Sequence, residues 1–122
     1  MRYVHSIRLI VAALALGLVV GAAAPVVAQT ITADNVGEMV KKASTAADHT
    51  ALADYFRAQA TVATDNAQKH RTMLVSGPSK SSRQVWDAHC RRLIQSFEAQ
   101  AAAYTDLAKE QDVLAKHVAA KH

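Results

Sequence analysis

The chain has 122 residues, with fourteen Lys and Arg against ten Asp and Glu, and a single cysteine. A length of this order makes one domain at most, and one cysteine excludes an internal disulfide framework. The charges are interleaved along the chain, with only the short doublets Lys41-Lys42 and Arg91-Arg92, which argues against a nucleic-acid footprint.

Residues 1–28 have the order of parts of a secretory signal peptide. Arg2 and Arg8 supply the positive start and residues 9–24 form an uncharged apolar run. Val26 and Ala28 then fit the rule for the third and first positions before a signal-peptidase cut. Cleavage after Ala28 leaves Gln29 as the new N-terminus and 94 of the 122 residues. Twelve basic residues then face ten acidic ones, a net charge of +2, because Arg2 and Arg8 leave with the leader. The rival is an uncleaved inner-membrane anchor over residues 9–28, since about 20 apolar residues span a bilayer. Pro25, the glycines of the run and the cleavage site favour removal, so the expected location is the periplasm or the medium. On this reading the protein meets a membrane only through an uncleaved leader.

Beyond the leader the composition is that of helices. Alanine is abundant, Gly37 and Gly77 are the only glycines and Pro78 the only proline, and these extremes of helix propensity decide the class. Thr32 opens a short helix over about 33–43. Thr45, followed three residues later by Asp48, is a weak capping box and opens a second helix over about 46–75. "SGPSKSS" (76–82) breaks the chain, with Gly77 placed to end a helix and Pro78 unable to continue one. Ser81 with Gln84 reads as another capping box, opening a third helix over about 82–120.

The third helix carries a heptad seam of the coiled-coil kind: Trp86, Cys90, Leu93, Phe97, Gln100, Tyr104, Leu107, Gln111, Leu114 and Val118 step by 4 and 3 throughout. The second has a matching stripe of His49, Leu52, Phe56, Ala60, Ala63, Ala67, His70 and Leu74. Its small central residues favour close approach of a partner helix. Two long stripes joined by a short Gly-Pro turn predict an antiparallel helical hairpin. With the short first helix covering the overhang of the third, the result is a small all-α bundle. Folding near residues 79 and 80 sets His49 opposite Glu110.

Three fates compete for Cys90. It packs as a small hydrophobe in the seam, it ligates a metal, or it pairs with another chain. The same fold brings His70 level with His89 and Cys90, with Met73 one turn from His70. Imidazole, thiolate and thioether together suit Zn(II) or Cu(I). His49 and His70 are three heptads apart on one face, and His89 and His117 four heptads apart beside the seam. Cys-x-x-Cys-His, Glu-x-x-His pairs, nucleophile elbows, phosphate loops and paired catalytic carboxylates are all absent from the sequence. The expectation is a protein without catalysis.

"DHTALADYFRAQA" (48–60), "KHRTML" (69–74) and "AHCRRLIQSFEAQAAAYTDLA" (88–108) resemble small exported alanine-rich helical proteins of bacteria whose function is unknown. The resemblance implies export and a helical hairpin, and no activity. The residues therefore favour a non-enzymatic binding or interaction module of the bacterial envelope, partnered by another envelope protein or by its own copies. A periplasmic metal-binding protein using His70, His89 and Cys90, and a self-associating structural helical protein, are the alternatives.

Overall fold

The computed structural model describes residues 29–122. The expected signal peptide, and the alternative anchor over 9–28, lie outside them. Three α-helices follow in order: α1 Val36–Lys42, α2 Ala46–Val75 and α3 Arg83–Ala119. The two long helices pack against each other as an antiparallel hairpin, with α1 laid on one face. Among the described residues no helix is long and apolar enough to cross a membrane.

α1 begins three residues later than the sequence predicts. Asn35 explains the delay: its Oδ1 accepts from Thr32 N–H at 2.8 Å and its amide donates to the Thr30 carbonyl at 2.9 Å. This side chain holds 32–35 in a turn and postpones the helix. α2 has the predicted bounds, and its capping box is formed. Asp48 N–H donates to Thr45 Oγ1 at 3.1 Å, while the Asp48 carboxylate accepts from the backbone of Thr45 (2.9 Å) and of Ser44 (3.0 Å). The Ser44 and Thr45 N–H groups, in that order, hold the Asp48 carboxyl below its ordinary value. At the start of α3 the predicted Ser81–Gln84 box is not formed; Ser82 is the N-cap residue and its side chain caps nothing.

The α2 stripe is the buried face as predicted, joined by the fully buried Ala53. The α3 seam is corrected at every second position of its C-terminal half. Ala101, Ala108 and Ala115 face inward, while Gln100, Leu107 and Leu114 stand one residue aside and are exposed. Two physical reasons combine. A straight helix drifts about 20° per heptad away from a strict seven-residue repeat. Opposite Ala108 the space is already filled by Leu52 and Phe56 of α2, which leaves room there for a methyl and pushes Leu107 to the flank.

Among the described residues the one substantial apolar cluster sits at the end of the hairpin away from its turn. Leu52, Phe56 and Ala108 are buried together, and Ile31, Val36, Met39, Tyr55 and Tyr104 close over them. Phe56 stacks on Tyr104 with centroids 6.3 Å apart and meets Tyr55 edge-on at 5.4 Å. α1 therefore covers this cluster. It does not cover the α3 overhang as expected, because its apolar side chains find their partners inboard, and Leu114 remains exposed.

Candidate functional site

The register of the hairpin is marked by one buried polar pair. His49 Nδ1 lies 2.8 Å from Gln111 Oε1, and both residues are buried. The pair meets one residue further on than a fold at 79–80 predicts for His49. With Gln111 Oε1 accepting, Nδ1 carries the proton. Two buried polar groups that satisfy only each other penalise any slip of α2 along α3.

Cys90 is fully buried, and the chain has no second cysteine with which to pair. The thiol is thus sealed within the seam, the environment expected of a small apolar packing group. Its sequence neighbours go elsewhere, since consecutive helical residues point about 100° apart. His89 is exposed and lines a shallow groove of about 330 Å³ with Pro78, Val85 and Trp86. His70 is half-buried and stacks on Phe97 at 5.6 Å, with an Nδ1 that is buried and has no hydrogen-bond partner. Met73 is partly exposed, and its backbone carbonyl is taken by Trp86. Among the described residues no three His, Cys, Asp or Glu side chains are grouped to hold a metal ion.

Two further surfaces have ligand-sized relief. One groove of about 480 Å³ has Ala60 and Ala108 at its base, Thr61, Thr64 and Thr105 beside it, and the Arg57–Asp112 ion pair at its edge. The three hydroxyls donate to carbonyls four residues back in their own helices, so their protons are already spent. The hydrogen bond from Arg57 to Asp112 raises the guanidinium pKa further above its ordinary value. The second is an apolar flank on α3 of about 440 Å³, lined by Lys109, Glu110, Val113 and Leu114.

The turn end has a construction of its own. Trp86 Nε1 donates to the Met73 carbonyl at 3.0 Å and Arg83 donates to the Leu74 carbonyl at 2.6 Å, so two side chains of α3 cap the end of α2. The indole leaves no room at residue 77: a Cβ there would lie 2.7 Å from Trp86 Cδ1. Gly77 has no positive φ, so it is the space, and not a left-handed turn, that demands glycine. The segment 69–92 around this clasp carries Lys69, Arg71, Lys80, Arg83, Arg91 and Arg92 against Asp87 alone, and Glu98 of α3 reaches in to pair with Arg71. Reading charges along the chain missed this cluster. Counting them around the Gly-Pro turn, as the hairpin itself places them, reveals it. No family model, no curated protein and no solved structure matches the chain.

Proposed function

We propose that the chain is a small exported helical protein of the bacterial envelope that acts by binding, without catalysis. The observation that carries this reading is the position of its larger apolar side chains. Ala101, Ala108 and Ala115 take the inward positions in the C-terminal half of α3, and Leu107, Val113 and Leu114 are left 38%, 63% and 41% exposed. Apolar groups gathered on a flank are a common mark of an interaction surface. The grooves are open, and the three threonine hydroxyls of the first donate to carbonyls of their own helices, as in a helix surface suited to contact.

Photo-crosslinking in cells tests the reading. A photoreactive residue at Leu107 or Leu114 should give discrete adducts, and the same residue at exposed Gln68 should give none. An adduct of twice the chain mass would identify the partner as a second copy. Absence of adducts from both apolar positions would overturn the proposal.

A further inference from the structure

We infer that the turn end of the hairpin docks on an anionic lipid surface. This rests on the binding-module reading and names a partner for a different face, 20 residues and more from Leu114. The first observation is charge. Residues 69–92 hold six Lys and Arg and one Asp, a net +5, whereas the other described residues hold six basic and nine acidic, a net −3. The described residues are therefore strongly polarised although together they total only +2.

The second observation is which of these charges are available. Arg71 is paired with Glu98, and Arg83 lies 3.0 Å from Asp87. Among the described residues Lys69, Lys80, Arg91 and Arg92 form no ion pair, and all four are exposed. Arg91, the most distant but one, is eight residues into α3 and so about 12 Å from its start. A groove of about 360 Å³ is lined by Arg71 and Arg91 together with Glu98, the partner of Arg71, so of its two cations Arg91 is the one left without an ion pair.

The third observation is a set of exposed apolar side chains at and beside the turn. Val75 is 84% exposed, Val85 76% and Met73 40%, and Pro78 lies on the turn between them. Exposed apolar side chains beside unpaired Lys and Arg match the headgroup and acyl boundary of a bilayer. Phosphates of a nucleic acid would engage the cations and leave Val75 and Val85 without a role. The one indole is also unsuited as a base-stacking platform, since Trp86 is folded over Gly77 and donates to Met73.

Vesicle binding by the exported chain, as recovered from cells, decides the matter. Vesicles containing phosphatidylglycerol should bind it, with a blue shift of emission from Trp86, the only tryptophan. Vesicles of phosphatidylcholine alone should bind far less, and added salt should weaken the anionic case. Each unpaired cation near such a surface is a factor of about five in partitioning. Lys80→Glu with Arg92→Glu should then lower binding on the order of 100-fold or more with helicity unchanged. Lys116→Glu with Lys121→Glu, the same change in net charge at the other end, should lower it by less than about ten-fold. Equal binding to neutral vesicles, equal losses from the two double variants, or tighter binding to duplex DNA than to anionic vesicles would each overturn the inference. Failure here would leave the crosslinks at Leu107 and Leu114 untouched, so the two proposals fail separately.

Discussion

At the terminal end of the hairpin, Leu52 and Phe56 meet Ala108 under α1, with three aromatic rings in contact and Thr45 and Asp48 capping α2. At the turn end the seam holds Ala67, Cys90 and the half-buried His70 and Phe97, and α2 is closed by an indole and a guanidinium from α3. The first end is organised by burial, the second by directed hydrogen bonds to carbonyls. The first is mixed in charge and the second is basic. Stability and surface chemistry are thus concentrated at opposite ends of one pair of helices, which leaves the turn end free to carry exposed Val75 and Val85 without undermining the fold.

The largest blow to that contrast is Phe56→Ala. Loss of the central ring should cost about 3–5 kcal/mol and release α1. Urea unfolding measures the first, and hydrogen exchange of residues 36–42 the second. Retained protection of α1 would show that the cluster does not anchor it.

Gly77→Ala attacks the other end. The new Cβ collides with the indole, so the Trp86–Met73 hydrogen bond must break or the turn must shift, at about 1–3 kcal/mol. Tryptophan emission should change while α1 keeps its protection. An unchanged spectrum would mean that the clasp is not the resting arrangement in solution.

Between the ends, Cys90→Ala should cost about 1 kcal/mol or two. The native thiol should react slowly with a thiol reagent and rapidly after denaturation. Fast native labelling that Zn(II) or Cu(I) suppresses, and that His70→Ala restores, would instead return the metal reading.

The smallest effects separate the two helix starts. Thr45→Ala should cost about 1 kcal/mol, and Ser82→Ala, whose hydroxyl caps nothing, should stay within about 0.5 kcal/mol. The Asp48 carboxyl is lowered in the folded state, so its contribution is present above the unfolded value near 3.8 and is lost as the pH falls through the folded value below it. Asp48→Asn should therefore be destabilising at neutral pH, and the gap to wild type should close under acid. A gap independent of pH would remove the charge from the explanation.

The helices and their turn were legible because they depend on local chemistry: Thr45 before Asp48, Gly77 before Pro78, and frequent alanine with almost no glycine or proline elsewhere. The choice of Ala108 over Leu107 was not. It is made by how closely α2 approaches, a property of both helices together. The candidate site divides in the same way. His70 and Cys90 belong to the predicted stripes, whereas His89 follows from the 100° step and faces out. The pairing of His49 with Gln111 was one residue from its predicted register, within the tolerance of any turn placed by composition. The basic cluster escaped because Arg71 and Arg91 are 20 residues apart in the chain and reach one groove only when the chain reverses.

The alanine seam also shapes how the fold responds to temperature. The heat-capacity change of unfolding rises with the apolar surface released to water, and helices closed on methyl groups release little of it per residue. Outside the Leu52–Phe56 cluster the free-energy curve should accordingly be shallow and wide, with cooling weakening the fold only slightly.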